Sequence, residues 1–257
     1  MASHFSTIGL SVDSEDAMFE LVNRVGPLAE PLEAASGVYF QWADSSGAEL
    51  WLQVRGNDLF GVSPHFTGQS IVRARLTARV TPGDPTPLDG AFHAWADPTA
   101  DESPESGAYP FVFDTPDARL HDGLELPVVV TVQVAAFAEE IEAFDSPTAH
   151  AAAQEEGAPG FASRSFIPSG LFTPQGDSTT PEARAILSGH VLESERRVNE
   201  LTGEAFFWCL VESYGGVFDV VIDPELLPDL PNVGGVVSGS FWLSGRIIID
   251  VDGDSPG

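Results

Sequence analysis

The chain contains no lysine: all 11 basic residues are arginine, against 39 aspartates and glutamates in 257 residues. That absence removes the Schiff-base lysine of pyridoxal-phosphate enzymes, the phosphate-cradling lysine of the P-loop and the lysine of protein kinases. Cysteine is nearly absent too. The single Cys209 cannot form an internal disulfide or a multi-cysteine zinc site, and its place in the run Phe206-Phe207-Trp208-Cys209-Leu210-Val211 predicts a buried strand thiol. No stretch approaches the ~20 apolar residues of a membrane-spanning helix, and residues 1–12 lack the basic and apolar regions of an export signal. A cytoplasmic protein without a membrane partner is expected. Missing as well are a Gly-x-Ser-x-Gly nucleophile elbow and any His-x-His or His-Glu-x-x-His pair. The six histidines (His4, His65, His93, His121, His150, His190) stand singly. Motifs therefore predict no catalytic residue, no metal site and no cofactor.

What is present begins with apolar bulk. Hydrophobic residues make up 43% of the chain, with 17 Phe and 5 Trp, enough to offset the entropy of ordering a folded protein. The net charge of −28 is spread along the whole chain, not gathered in a tail. Such a surface repels phosphate and anionic lipid, so no nucleic-acid partner is expected. Two origins fit this composition: adaptation to high internal salt, where screening relieves self-repulsion, and a GC-rich genome that encodes Arg in place of Lys.

Residues 5–12 alternate loosely as a strand, and the acidic stretch 13–16 then opens a helix whose Met18, Leu21, Val22 and Val25 fall at helical spacing before Gly26 and Pro27. Strands over 37–43 and 48–54 follow, joined by the turn Asp44-Ser45-Ser46-Gly47. This strand, helix and hairpin, ending in Gly47-Ala48-Glu49-Leu50, resembles one half-module of the vicinal-oxygen-chelate (glyoxalase-like) family over about a fifth of the chain. The resemblance implies a metal ligand on the last strand, where Glu49 falls, and a histidine on the first, where Thr7 stands instead. His4 lies three positions upstream, on the opposite strand face from Thr7.

A second pattern is internal. Residues 70–141 run as a long strand, a Gly turn before a Phe-bearing strand, a strand ending Phe113-Asp114 and a long final strand; residues 185–251 repeat that order, with Ile222-Asp223 in the matching place. The Asp pair is 109 positions apart and the turn glycines Gly90 and Gly203 are 113 apart, which reads as a diverged duplication. The last strand of each set is long enough to bend, at Gly239 or Gly245 in the second, and to pair twice, as a small OB-like barrel requires.

The expected fold class is thus β-rich α+β: an N-terminal strand-helix-hairpin unit over 1–69, OB-like β-barrels over 70–149 and 184–257, and between them a linker, 150–183, docking through Phe166, Ile167, Leu171 and Phe172. Near the C-terminus Asp250, Asp252 and Asp254 read as an acidic tail, since a calcium loop would need a distal Glu. The function expected first is non-enzymatic binding or scaffolding of a protein partner through apolar loops, with Phe166, Phe172, Leu226, Leu227 and Leu230 as candidate contacts. Two alternatives are a small-molecule binder or enzyme using Glu49 with a distant histidine, and an acidic mimic of nucleic acid. Oligomeric state is left open.

Overall fold

The computed structural model describes residues 3–81, 85–99, 103, 106–154, 161–169 and 181–248. Leu171, Phe172 and the acidic stretch from Asp250 to Asp254 lie outside the described residues.

The chain starts with a 3-10 helix over Ser6–Ile8, where a strand is expected. Hydroxyls account for the difference: Ser6 Oγ donates to Ser3 O at 2.9 Å and Thr7 Oγ1 to His4 O at 2.8 Å, local bonds that compete with a β-ladder. Helix α1 spans Glu15–Val25 as the spacing predicts, capped by Ser14, whose hydroxyl accepts from Ala17 N, with Glu15 and Asp16 in its first turn. Strands β1 (Glu30–Ala34), β2 (Gly37–Ala43), β3 (Ala48–Arg55) and β4 (Asp58–Phe66) form an antiparallel sheet in that order. β1 and β4 have no counterpart among the expected strands.

The remaining strands form one large mixed sheet: β5 (Val72–Val80), β6 (Ala91–Ala96), β7 (Pro110–Asp114), β8 (Val128–Phe144), β9 (Ser165–Pro168), β10 (Arg184–Val198), β11 (Ala205–Ser213), β12 (Gly216–Ile222) and β13 (Val236–Ile248). A short helix, α2 (Pro147–Ala153), follows β8. Through β9 the described part of the linker joins the sheet along β10.

The sheet is organised around its two longest strands. β8 and β13 run antiparallel from Thr131 opposite Ile248 to Phe144 opposite Val236. On its other edge β8 pairs first with β5, through 128–132, and then in parallel with β12, through 135–137. β13 does the same in mirror order, pairing with β10 through 236–242 and with β7 at Ser244. Each long strand does pair twice, but one half serves its own strand set and the other half serves the other set. Two self-contained barrels are therefore not what the ladders build: strands from 70–149 and 184–257 share one sheet. At Gly239 the ribbon tightens, since a Cβ there would lie 2.0 Å from Glu140 O, and the register shifts just beyond it, between Ser240 and Phe241.

Period-two alternation sorts these strands into two cores. Val132, Val134 and Ala136 of β8 join Phe113, Phe241 and Leu243 on one face. Ala135 and Phe137 face the other way, where they meet Phe206 and Trp208 and, from the N-terminal unit, Ile8, Leu21, Leu50 and Phe66. Large rings dominate both cores, each contributing about 1.5–3 kcal/mol when fully buried. Among the described residues no helix is long and apolar enough to cross a membrane.

The join between the sheets is tight at Gly68, where a Cβ would sit 2.1 Å from the carboxylate carbon of Asp219 on β12. We predict that Gly68→Ala lowers the free energy of urea unfolding by about 1–3 kcal/mol, because the buried carboxylate cannot retreat into solvent. Gly26→Ala, where nothing lies within 4 Å of the added carbon, should change it by less than about 0.5 kcal/mol.

Candidate functional site

A line of buried polar side chains runs along the seam where the small sheet covers the outer face of the β8–β13 ribbon. β3 and β4 set Glu49 opposite His65 and Trp51 opposite Ser63, cross-strand pairs whose side chains share one face. From the ribbon, Trp242, Ser244 and Arg246 alternate with the core residues Phe241, Leu243 and Ile247, so the period of two turns them toward the small sheet. Gln133 on β8 is in register with Arg246.

The deepest element is Asp219, fully buried in an otherwise apolar strand. Its Oδ1 accepts from Gln69 N and from Trp208 Nε1, both at 2.9 Å. Its Oδ2 accepts from Ser70 N at 2.8 Å and from Gln133 Nε2 at 2.9 Å. A carboxylate can only accept, so the Gln133 amide must present its nitrogen to Asp219 and its oxygen to His65. Gln133 Oε1 lies 3.0 Å from His65 Nε2, which therefore carries the ring proton and donates it. Burial holds His65 below its ordinary pKa, leaving the imidazole neutral and Nδ1 bare. Ser244 Oγ stands 2.8 Å from that Nδ1 and donates to it.

Beside this chain lies a second one. Glu49 accepts from Trp51 Nε1 at 2.8 Å, from Thr67 Oγ1 at 2.5 Å and from Arg246 Nη1 at 3.4 Å. Arg246 Nε donates to Asp117 at 3.3 Å, and the guanidinium covers the Trp51 ring at 4.8 Å. Asp117 lies 3.3 Å from His121, and that partner, with Arg246, outweighs burial and holds the Asp117 carboxyl below its usual range. Glu49 is thus a satisfied member of a buried network, not the open ligand position that the glyoxalase-like resemblance implies.

A cavity of about 150 Å³ opens onto the first chain, lined by Ser63, Asp89, Gly90, Asp114, Thr115, Pro116, Trp242 and Ser244. Asp89 is held by Gln53 Nε2 at 2.8 Å and by Thr86 N at 2.7 Å. Asp114 accepts from Trp242 Nε1 at 2.6 Å, and burial nevertheless pushes its carboxyl up to about 6. Thr115 Oγ1 is buried with no hydrogen-bonding partner among the described residues. His4 closes over Trp242, stacked at 4.5 Å between ring centres and 3.2 Å from Glu139. A second cavity, about 200 Å³, is lined by His93, Pro110, Phe111, Pro168 and Pro181.

The residues expected to dock a partner lie elsewhere. Phe166 is buried, stacked between Tyr109 and Phe218 at 4.4 and 5.3 Å. Leu227 is buried in the same core, and Leu226 and Leu230 pack against it half-covered. Phe172 is outside the described residues. Cys209 is the buried strand thiol expected, its pKa pushed up to about 12 by burial. Arg197 lies over Trp208 at 4.1 Å and donates to Ser46 O at 2.9 Å.

No family model, curated protein or solved structure matches the chain. The glyoxalase-like resemblance also loses its first strand, because Thr7 lies on a 3-10 turn. Among the described residues no group of three or more His, Cys, Asp or Glu is placed to hold a metal ion.

Asp114 gives a test with a definite sign. Its folded pKa of about 6 lies above the unfolded value of about 3.9, so between those limits the native state keeps a proton that the unfolded chain has released. Stability contributed by this group is present at pH 4 and lost as pH rises toward 6. Asp114→Asn should remove that loss, gaining on the order of 1–3 kcal/mol over the wild type between pH 4 and 7 in urea titrations. A variant whose stability runs parallel to wild type across that range would show that Asp114 is ionised without cost.

Proposed function

We propose that the protein binds a small polar molecule, neutral or positively charged, in the cavity between the two sheets. The convergence of Ser63, Asp89, Asp114 and Ser244 with the Trp242 indole on one cavity carries this reading. The rest of the lining gives the ligand its character. Asp89 and Asp114 disfavour an anion, the Trp242 indole offers one flat apolar side, and the hydroxyls of Ser63 and Ser244 suit a hydroxyl or amine. A volume of about 150 Å³ suits a guest of roughly benzene size.

Docking of a protein through Phe166, Leu226, Leu227 and Leu230 is less favoured, because their apolar surface is already used inside the fold. The same acidic surface that disfavours anionic ligands supports the reading that nucleic acid is not a partner. A cytoplasmic location remains part of the proposal, supported by composition. We also infer that the two strand sets are one OB-like unit used twice, each contributing a three-strand meander and a long return strand. The support is that β5 pairs with β8 as β10 pairs with β13, and β12 with β8 as β7 with β13.

Saturation-transfer NMR with glycerol, erythritol, ethanolamine and imidazole checks the cavity. At least one should bind the wild type, Ser63→Ala should weaken it about tenfold, and Asp114→Asn should weaken the amines more than the polyols. Absence of binding by all four, or binding untouched by both substitutions, overturns the reading.

A further inference from the structure

The buried chain behind the cavity has a direction. Asp219 fixes the Gln133 amide, Gln133 fixes the His65 tautomer, and the bare His65 Nδ1 takes the hydrogen bond of Ser244 at 2.8 Å, while Ser244 itself lines the cavity. A serine hydroxyl whose proton already points at a neutral imidazole, with the other ring nitrogen anchored, is the arrangement of an activated nucleophile and its base. A network built only to pin the sheets together would not need to end on a cavity wall.

We propose that Ser244 is an acyl-accepting nucleophile, with His65 as its general base, acting on small neutral or cationic carboxylic esters. It rests on the reading of the cavity as a ligand site. Ser244 Oγ attacks the ester carbonyl carbon as its proton passes to His65 Nδ1. The carbonyl oxygen becomes an oxyanion inside the cavity. The bond from carbon to the alcohol oxygen then breaks, and that oxygen takes the proton from His65 Nδ1. Water, giving a proton to the same nitrogen, attacks the acyl-serine; the bond from carbon to Ser244 Oγ breaks, and Oγ takes that proton back from His65 Nδ1 as the carboxylic acid is released. The net reaction is ester plus water to acid plus alcohol. Ser244 and His65 are the reacting groups; Gln133 and Asp219 position the imidazole. Asp89 and Asp114 set the specificity, since an ester bearing its own carboxylate meets their charge.

The probe is 4-nitrophenyl acetate, with the mono-4-nitrophenyl ester of succinic acid as the anionic comparison. Wild-type protein should release a burst of nitrophenolate of about one equivalent, and peptide mass spectrometry should find the acetyl group on Ser244. Ser244→Ala should abolish the burst, and His65→Gln should slow it by about 100-fold or more. The succinate ester should react at least about tenfold more slowly. Gln133→Met should move the pH midpoint of the burst, a readout that loss of packing alone would not shift. His65 is faced from the packed elements by Glu49, Asp117 and Arg246, all of which this variant keeps.

The same wild-type preparation goes through the NMR panel, to show that its cavity binds a polyol or amine before acylation is read. A burst that survives in Ser244→Ala, or no acetylation of Ser244 in wild-type protein that binds a panel member, overturns the nucleophile and leaves the cavity reading standing. If no panel member binds and Ser244 is not acetylated, both readings fail.

Discussion

One buried carboxylate orders the junction of this protein. Asp219 collects four N–H donors from three places: the segment joining the small sheet to the large one, β8 and β11. An isolated ionised carboxylate costs several kcal/mol to bury, so the site is favourable only when every donor is present. Fold and network are thereby coupled. The small sheet must come down with Gln69 and Ser70 in place, β8 must bring Gln133, and β11 must turn Trp208 inward. Gly68 follows from the same requirement, since only a residue without Cβ lets the backbone approach Asp219 so closely.

The β8–β13 ribbon is the second constraint. Each strand set could have closed its own barrel, but here each long strand lends part of its length to the other set. Val132, Val134, Phe241 and Leu243 therefore belong to a core that neither set owns. The outer face of the ribbon is left to be covered by the N-terminal unit, and burying Phe66 against Phe206, 6.1 Å between ring centres, helps to bring His65 over Gln133 and Ser244. The polar seam is thus a product of where three segments meet, far apart in sequence.

That explains what the sequence could and could not convey. Periodicity located α1, β2, β3 and the eight long and short strands of the two sets, because those signals are local. It misplaced residues 5–12, where Ser and Thr side chains bond to nearby carbonyls, and it could not say which strands pair, since β12 beside β8 is a contact across about 85 residues of chain. The site was less visible still. His65, Gln133, Asp219 and Ser244 lie on four strands with no shared motif. One signal was available: Asp219 in Val217-Phe218-Asp219-Val220-Val221-Ile222 and Gln133 in Thr131-Val132-Gln133-Val134 are polar residues inside strongly apolar strands. A buried polar residue needs a partner, so each announces a network without saying where its other members are. Phe166 and Leu227 mislead for the complementary reason, since an apolar side chain in a Pro-rich loop looks exposed until the core it fills is known.

The arginines complete the electrostatic picture. Several of the 11 serve internal carbonyls: Arg79 reaches those of His121 and Leu124 at 2.7 and 3.0 Å, Arg119 that of Pro87 at 3.1 Å, and Arg73 that of Pro98 at 3.0 Å. Arg246 lies between Glu49 and Asp117 in the seam. A guanidinium suits this work better than an ammonium because its fixed fork bonds several acceptors at once and is more weakly hydrated. With so many cations tied to the fold, the surrounding field is dominated by carboxylates, and it bears on any molecule approaching the cavity. A cation is drawn in, a neutral molecule is unaffected, and an anion meets repulsion before it reaches Asp89 and Asp114. The surface charge and the lining of the cavity therefore select in the same direction, although one is spread over the whole chain and the other rests on two side chains.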